Sequence, residues 1–517
     1  MIDFEPFVLS SLSSDIAVIF LISIVLYGSG LAVYRLLFSP IAGFPGPKIA
    51  AITSWYEFYY DYFRSGTYIF RIEEMHREYG PIIRINPQEL SVHDPAFYND
   101  IYVTESTRRT ENYNHFVKGI DFDGSHFLTT PHDLHRRRRK PLEPFFSRLG
   151  IIRLEPMLAD VVGKLNNRLE ALKGSNTVVR LDHAFFAFSG DVIGRICCEE
   201  RVDFLDDPDF APQWFDLIHA VIKSVPLFTG MPFLVGIVGL IPEAVLSWVD
   251  PRSQKFNDFK KMANKHIVDA KRDKLNPAGK VTDKGSRRSL FRHIVNSDMP
   301  ESELSTERLS KEAQVLLGAG TASTARTLDF LSYHILSKIH IRQRLMEELT
   351  GIMAEYPQSV PSLTQLEKLP YLQAVIKEGL RLSIGVMHRL PRCSPDVPIQ
   401  YKRWTIPRGV PVGMSSYFMH LDPTVYPKPF EFLPERWLGD ADPLMSRNLV
   451  PFSRGSRACL GMNLAQAELN VVLAILYRPD GPAFDLFDTN ESDVIPVHDF
   501  LIPLPKLETK GVRVLIS

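Results

Sequence analysis

The stretch that decides the fold is Phe452-Ser453-Arg454-Gly455-Ser456-Arg457-Ala458-Cys459-Leu460-Gly461, near the C-terminus. It is followed by Met462 to Leu476, where Leu464, Leu469 and Val472 recur at helical spacing. The sequence therefore predicts a cysteine placed just before a helix. Backbone N–H groups and the positive end of the helix dipole should lower the pKa of a thiol at such a position. Cys459 is thus a candidate thiolate ligand for a transition metal.

Five letters of this stretch resemble the haem-binding loop of the cytochrome P450 family, F-x-x-G-x-R-x-C-x-G. The resemblance implies haem b as the cofactor and Cys459 as the axial ligand of its iron. Gly455 and Gly461 would let the loop approach a flat macrocycle without Cβ clashes, and Arg457 would reach a propionate. Phe452 would pack near the sulfur. The alternative is a buried structural cysteine in a turn.

A second motif combines a helix with a downstream segment. Leu363 to Leu382 is predicted to be one helix, on which Glu378 and Arg381 stand three residues apart. Such a pair alone is most often a solvated surface pair. Here it precedes Phe432-Leu433-Pro434-Glu435-Arg436-Trp437, which is similar to the P-E-R-F segment of the same family. The resemblance implies a buried triad of Glu378, Arg381 and Arg436 with a structural role, whose loss should prevent haem incorporation.

A basic run, His135-Arg136-Arg137-Arg138-Arg139-Lys140, lies in a predicted helix and is expected to be mostly a solvated face. By resemblance, His135 and Arg139 occupy the positions of a tryptophan and an arginine near the haem propionates. Histidine is a departure from the family pattern, but an imidazole can still hydrogen-bond a propionate. The remaining arginines would suit docking of an acidic electron-donor protein.

A long helix is predicted from about Thr306 to Lys338, with Ser305 as its N-cap. One face of this helix is predicted to carry Leu316, Gly320, Thr324 and Leu328. The glycines at 318 and 320 could suggest a dinucleotide-binding loop. That reading fails because Ser323 stands where the third glycine should be and the flanks are helical.

The middle of this helix instead resembles the family's A-G-x-(Asp/Glu)-Thr motif, in which glycine makes room for dioxygen. Ala319 and Gly320 match, whereas Ala322 replaces the acid and Ser323 replaces the threonine. The resemblance implies Gly320 and Ser323 as catalytic residues, with Thr324 and ordered water as another route for protons. The alternative is that these hydroxyls only hydrogen-bond carbonyls of their own helix.

The N-terminal region predicts a membrane anchor. Residues 16–34 carry no charge and are long enough to cross a bilayer as a helix. Acidic residues precede this run and Arg35 follows it, which favours a cytosolic main domain over a secretory signal peptide. The plan is a lumenal N-terminus (1–15), one transmembrane helix (16–34), a Pro/Gly-rich elbow (35–48) and a catalytic domain (49–517). We expect a single-pass protein of the endoplasmic reticulum membrane.

Composition bounds the remaining possibilities. The 517 residues are 45% hydrophobic and 23% charged, with a net charge of -1, so a large folded core is expected and nucleic acid is not. The four cysteines form no C-x-x-C pair, which suggests neither a disulfide framework nor a zinc site. The resemblance extends over nearly the whole chain and implies a mainly α fold with small β-sheets in a single large domain.

The implied function is a haem-thiolate monooxygenase that inserts one atom of O2 into a hydrophobic small molecule. No flavin or ferredoxin-like module is recognisable, so an NADPH-cytochrome reductase is the implied electron donor. Substrate contacts are expected from residues 107–130, 225–240, 384–390 and 498–504. The apolar stretch at 225–240 should also lie at the membrane surface or line a substrate entrance. Residues 44–62 are similar to fungal sesquiterpene oxygenases of the trichothecene type, which favours a terpenoid or polyketide substrate.

Two other functions remain open from the sequence. A haem-thiolate isomerase or dehydratase would keep the fold and act without a reductase, and Ala322 and Ser323 allow it. A haem sensor or electron carrier would keep the cysteine but needs no oxygen-activating groove. Dependence of turnover on NADPH separates the first from a monooxygenase, and turnover itself separates the second. The substrate, the position oxidised, the number of oxidations and the oligomeric state are not readable from the sequence.

Overall fold

The computed structural model describes residues 6–113, 122–198, 203–242, 245, 248, 251–275 and 289–517, and is mainly helical. Its α-helices are α1 (Pro6–Val33), α2 (Lys48–Ile52), α3 (Trp55–Phe58), α4 (Tyr68–Tyr79), α5 (Tyr98–Ile101), α6 (His132–Arg139), α7 (Glu143–Phe146), α8 (Arg148–Ile152), α9 (Glu155–Glu170), α10 (Leu181–Cys197), α11 (Pro212–Gly230), α12 (Phe233–Leu240), α13 (Pro251–Leu275), α14 (Leu290–Val295), α15 (Thr306–Ser337), α16 (Ile339–Ile352), α17 (Leu363–Leu366), α18 (Pro370–Ser383), α19 (Ser416–His420), α20 (Pro443–Asn448) and α21 (Met462–Leu476).

The strands are short and lie at the edges of the helical body. They are β1 (Ile82–Arg84), β2 (Leu90–Val92), β3 (Glu111–Asn112), β4 (Val179–Arg180), β5 (Arg392–Cys393), β6 (Ile399–Tyr401), β7 (Trp404–Ile406), β8 (Val412–Gly413), β9 (Phe484–Leu486), β10 (His498–Phe500), β11 (Ile502–Leu504) and β12 (Arg513–Ile516). They form a five-stranded sheet in the order β1-β2-β8-β5-β3, a three-stranded sheet β4-β12-β9, and the pairs β6-β7 and β10-β11. The predicted fold class is therefore confirmed.

The core is built around α15, which packs most extensively against α10 and also contacts α13, α18 and α21. Ser305 caps α15 by accepting the N–H of Arg308, as the sequence predicts. Almost every residue of α10 is buried, because it is apolar on several faces and lies between other helices. These contacts hold the middle of α15 rigidly inside the protein.

One predicted helix is wrong in its bounds. The expected single helix over 363–382 is divided into α17 and α18, and Pro370 is the first residue of α18. Proline has no N–H and fits the first turn of a helix but not its interior. The division leaves Glu378 and Arg381 together on α18, where the motif needs them.

The N-terminal helix is the one candidate membrane span in the described part of the chain. Its apolar run extends from Ile16 to Phe38, and no residue in the most apolar part of this run is buried. The last turn, Tyr34–Phe38, winds as a π-helix. A helix that exposes apolar side chains on all sides suits a bilayer rather than water.

The elbow that follows the N-terminal helix is packed on the body of the protein. The Arg84 N–H donates to the Pro45 carbonyl at 2.7 Å, and Phe44 stacks on Trp404 with ring centroids 4.9 Å apart. Gly46 has a φ of +147°, and a Cβ there would lie 2.4 Å from the Arg84 carbonyl oxygen. The chain that leaves the membrane helix is therefore packed directly on β1.

The second apolar stretch, residues 225–240, does not form a spanning helix. Helix α11 continues through Pro226 and ends at Gly230, and α12 follows after a short break. Gly230 packs so closely on Phe58 that a Cβ there would lie 2.1 Å from the ring. Phe233 and Leu240 of α12 are exposed. The two helices therefore present apolar side chains beside the segment that follows the elbow.

Candidate functional site

The cysteine loop is closed on itself by backbone contacts. The Cys459 N–H donates to the Phe452 carbonyl at 2.8 Å, and the Ala458 N–H donates to Gly455. Gly455 has a φ of +74°, and a Cβ there would lie 2.2 Å from the Val103 carbonyl oxygen, so only glycine fits. Around Gly461, in contrast, a Cβ would meet nothing within 4 Å. The loop is thus tied to the body at Gly455 and faces open space at Gly461.

The pKa of Cys459 differs from the sequence-based expectation. Burial raises the pKa of the thiol above its usual range, while a hydrogen bond from the Gly461 backbone and the charge of Arg139 lower it. The predicted backbone hydrogen bond is present, but desolvation outweighs both this bond and the charge of Arg139. The side chain is nevertheless exposed, which places the sulfur on the wall of a space inside the protein. A bound cation would therefore have to displace the thiol proton.

Buried cationic groups gather beside this loop. His135 and Arg139 lie on α6, and the Arg139 guanidinium donates to the Ala458 carbonyl at 2.7 Å. Burial and then the charge of Arg392 lower the pKa of Arg457 to about 9. Burial and then Arg457 lower the pKa of His135, so this imidazole is neutral. The structure thus brings together the three residues that the sequence assigned to the propionates, and adds Arg392.

Two observations show that these residues fit a haem group with its carboxylates. The Nδ1 atom of buried His135 has no hydrogen-bond partner among the described residues. Arg457 donates to the carbonyls of Thr110, Thr129 and Thr130, which leaves part of its five N–H groups unused. Buried positive charge with unused donors requires anionic acceptors. Propionate carboxylates would supply them next to the cysteine loop.

The face that α15 turns toward open space carries Ala319 and Ser323. Ala319 is exposed and Ser323 is half-buried in the middle of an otherwise buried helix. Thr324 is buried, and so are Leu316 and Leu328. The Ser323 hydroxyl donates to the Ala319 carbonyl at 2.9 Å. Ser323 therefore lies on the open face, whereas Thr324 lies on the face that packs in the core.

Gly320 has a packing role that the sequence did not predict. A Cβ at this position would lie 2.8 Å from Cγ1 of Ile193 on α10. The absence of a side chain therefore allows the two most intimately packed helices to approach each other. The close approach to Ile193 is thus the role of Gly320 that the structure shows, and its role in making room for dioxygen stays a prediction.

The structure brings the predicted triad together, with Glu378 and Arg381 on α18 and Arg436 in the segment Pro434–Trp437. Oε1 of Glu378 accepts from Arg381 at 2.7 Å and from Arg436 at 3.1 Å. Glu378 and Arg381 are fully buried. Sequence reasoning missed two further donors, the Trp437 indole N–H at 2.8 Å and the Leu433 N–H at 2.9 Å. Trp437 follows Arg436 directly, so its position in the motif was the available signal.

Parts of the predicted substrate regions meet around a small cavity of about 70 Å³. Tyr113, Pro226, Arg389 and Leu501 line it, one from each of the four regions. Residues 114–121 of the first region lie outside the described residues. A larger cavity of about 420 Å³ lies beside Ala322 and Ile502, and its lining includes the charged residues Arg326 and Asp329.

Sequence reasoning also missed a buried ion cluster that joins the first substrate region to α15. The Glu312 carboxylate accepts from the His126 backbone and from Arg308 at 2.9 Å, and its Oε1 lies 2.5 Å from His126 Nδ1. These partners hold the pKa of the Glu312 carboxyl below its usual value, although burial opposes them. His126 and Glu312 are far apart in sequence, so no local pattern predicts their contact.

A mainly helical chain with an internal cysteine loop beside several buried cations has the architecture of a haem-thiolate protein. Comparison with known proteins gives the family. The protein-family model described as "Cytochrome P450" matches residues 54–479 of the chain. The chain belongs to the cytochrome P450 family, and its family implies a haem-thiolate cofactor.

Curated relatives match almost the full length of the chain. It is 56% identical to "Cytochrome P450 monooxygenase oblB" of Aspergillus clavatus, with 95% of each chain covered. It is 52% identical to "Fusicoccadiene C-8 hydroxylase" of Phomopsis amygdali, over 94% of this chain and 93% of the relative. It is 45% identical to "Stellatic acid synthase" of Emericella variicolor, over 95% and 93%.

These relatives establish the enzyme class. The protein is a P450 monooxygenase of the type found in fungal secondary metabolism, as the sequence predicted. The comparisons give no support to the isomerase, dehydratase, sensor or electron-carrier alternatives.

Proposed function

We propose that this monooxygenase hydroxylates an aliphatic carbon of a terpenoid hydrocarbon. The observation that carries the proposal is near full-length similarity to two enzymes named fusicoccadiene C-8 hydroxylase, 52% and 51% identical. The name of these two enzymes describes a hydrocarbon diene that is hydroxylated at one carbon. The apolar residues around the substrate regions, including Val225 and Leu501, suit such a molecule.

The protein's own contribution begins with holding the cofactor, which we infer to be haem b. When bound, haem would supply the activation of dioxygen, and a cysteine thiolate ligand would favour that chemistry. Cys459 would ligate the iron, and the Gly461 N–H would stabilise the sulfur charge. His135, Arg139 and Arg457 would hold the propionates. Phe452 fixes the loop through its carbonyl.

Proton delivery is proposed to depend on Ser323. Its hydroxyl lies on the open face of α15 and now bonds its own helix, so it would have to turn to hold a water molecule. Ala322 has no proton to give. Thr324 is buried on another face, which makes it a poorer candidate than its position in the sequence suggested. We therefore assign the hydroxyl role to Ser323 and a packing role to Gly320.

We further propose that an NADPH-cytochrome reductase supplies the electrons and that it docks on the basic face of α6. Arg137 and Lys140 of the basic run are exposed, while Arg138 is engaged internally with Glu303 at 2.6 Å. Exposed cations suit an acidic partner. We also propose the membrane topology that the sequence predicts. Residues 1–15 are lumenal, the N-terminal helix crosses the endoplasmic reticulum membrane, and the catalytic domain is cytosolic.

The experiment that tests the function is product analysis. The full-length chain is expressed with a reductase in cells that make fusicoccadiene or other cyclic terpene hydrocarbons, and extracts are searched for products one oxygen heavier. We expect a mono-hydroxylated product that requires NADPH and is lost in Cys459→Ser. Cys197→Ser is the matched control, since Cys197 is a buried cysteine at the end of α10. Absence of oxidised terpenoids with a correctly folded protein would overturn the proposed substrate class.

A further inference from the structure

Three ligand-type side chains meet where α6 begins. Glu105, His132 and Asp133 each offer one nitrogen or oxygen atom, and these atoms all lie within 4.8 Å of one another. His132 and Asp133 are the first two residues of α6, and Glu105 belongs to the turn after α5. The cluster therefore links two segments that are distant in sequence. It lies outside the set of residues assigned above to haem and substrate.

The imidazole of His132 is oriented as a metal ligand would be. The ring is completely buried, and its Nδ1 lies 3.2 Å from the Thr110 carbonyl oxygen. A carbonyl only accepts hydrogen bonds, so Nδ1 carries the hydrogen and Nε2 of the neutral ring is a bare lone pair. A carbonyl on the second nitrogen is the usual way in which a protein fixes a ligating histidine.

The lone pair of His132 has no hydrogen-bond donor among the residues that the structure describes. Nε2 is buried and makes no hydrogen bond with any residue that the structure describes. It lies 3.4 Å from Oε2 of Glu105, so a lone pair faces a carboxylate. That arrangement is repulsive unless a cation lies between the two atoms or the ring gains a second proton.

The separation of these atoms suits a tetrahedral ion. Metal–nitrogen and metal–oxygen bonds of about 2.0–2.1 Å at a tetrahedral angle place two ligand atoms roughly 3.3–3.4 Å apart. The distance between His132 Nε2 and Glu105 Oε2 is 3.4 Å. Asp133 pairs with Arg109 through Oδ2 at 2.6 Å, but a carboxylate has two oxygens and its side chain is 71% exposed. It can close on an ion with a small rotation.

We propose that Glu105, His132 and Asp133 form a site for zinc or a similar late first-row divalent cation. An imidazole and carboxylates favour such ions over magnesium or calcium, which prefer oxygen ligands alone. The bound ion would join the turn at Glu105 to the first turn of α6. The Thr110 carbonyl that orients His132 also accepts from Arg457 at 3.4 Å. The site therefore stabilises the segment that positions the propionate-binding cations.

The test is zinc binding to the full-length holoenzyme in detergent. The protein is treated with a chelator, dialysed and titrated with ZnCl2 by calorimetry, and bound zinc is counted by mass spectrometry. We expect one equivalent of zinc and a higher thermal midpoint with zinc present. Glu105→Gln and His132→Gln should each weaken the affinity by about tenfold or more.

Controls separate a built site from surface binding. His340 and Glu355 are exposed, so His340→Gln and Glu355→Gln should leave the affinity unchanged. Glu105 is 57% exposed, so its variant should fold even if the buried His132 variant does not. The reduced carbon-monoxide spectrum reports folding of each variant. No zinc binding, or equal affinity in Glu105→Gln and the parent, would show that Glu105 and His132 are only an ion pair.

Discussion

Two buried glutamates show how a single residue's partners decide its chemistry. Glu378 accepts from five donors supplied by Arg381, Leu433, Arg436 and Trp437. Glu468 on α21 is equally buried but has one partner, the Ser189 hydroxyl, and its Oε1 has none among the described residues. Burial accordingly raises the pKa of Glu468 well above its usual range. The two identical side chains therefore differ in the number of donors that surround them, and only Glu468 has its proton held by burial.

Removing the charge of Glu378 should leave two arginines uncompensated in the core. We expect Glu378→Gln to cost about 3–5 kcal/mol and to abolish the haem-loaded protein, because breaking a buried pair strands its partners. Trp437→Phe removes one neutral donor and should cost only about 1 kcal/mol. The measurement is haem content per folded protein. Equal loading of both variants would contradict the structural role of the triad.

Glu468 should make stability depend on pH. Its folded pKa is raised, so its contribution is complete below the unfolded value of about 4.3 and is lost as pH rises toward the folded value. The free energy of unfolding should fall by up to about 1.4 kcal/mol per pH unit in that window. In Glu468→Gln this slope disappears, so the variant gains relative stability from about pH 5 to pH 8. Thermal midpoints across this range test it, with the exposed Glu355→Gln as control; a pH-independent difference would refute it.

At the scale of elements, α15 shows a limit of periodicity. Spacing alone placed Leu316, Gly320, Thr324 and Leu328 on one face, and these residues do share a face. What spacing cannot say is which neighbour that face meets. This face of α15 packs on α10, where Gly320 lies close to the other helix. The neighbouring residues Ala319 and Ser323 face the open space. Thr324 is buried on the packed face, and its part in proton transfer stays a prediction.

The close contact of α10 and α15 predicts opposite effects for two neighbouring glycines. Gly320→Ala should destabilise the protein by about 1–3 kcal/mol, because its Cβ would lie 2.8 Å from Ile193. Gly318→Ala should be neutral or stabilise by up to about 1 kcal/mol, since its nearest atom is 3.8 Å away and alanine favours helix. Thermal midpoints measure both.

A double variant provides the internal check on this pair. Ile193→Ala removes the atom that the new methyl would strike, so it should be less harmful in the Gly320→Ala background than alone. Purely additive effects would show that the two helices adjust without strain.

At the scale of the whole molecule, the membrane helix and the body are separable. Removing residues 1–33 takes away a helix whose described side chains lie outside the core. We expect the shortened protein to fold with haem and to be released from membranes by alkaline carbonate, unlike the full chain. It should still bind lipid vesicles weakly through exposed apolar residues such as Phe63, Phe233 and Leu240.

Vesicle sedimentation tests that residual binding. Phe233→Ser with Leu240→Ser should reduce sedimentation of the shortened protein severalfold. Leu149→Ser, at an exposed leucine of α8, is the control. Carbonate resistance without residues 1–33 would contradict the assigned anchor.

Much of this architecture was readable from the sequence where the signal is local. The cysteine loop, the E-x-x-R pair and the apolar N-terminal run each lie within one short segment. Contacts between distant segments were not readable. His126 meets Glu312 across 186 positions, and the elbow packs on β1 through Arg84. Such contacts depend on how helices cross, which a single sequence does not encode in any short pattern.

The three-stranded sheet has one more consequence, for the association of chains with one another. Its middle strand is β12, which bonds β4 on one side and β9 on the other. Strands β4 and β9 do not pair with each other, so neither belongs to this sheet until β12 lies between them. Detachment of β12 would therefore expose two strand edges at once, and such edges are where chains associate with one another.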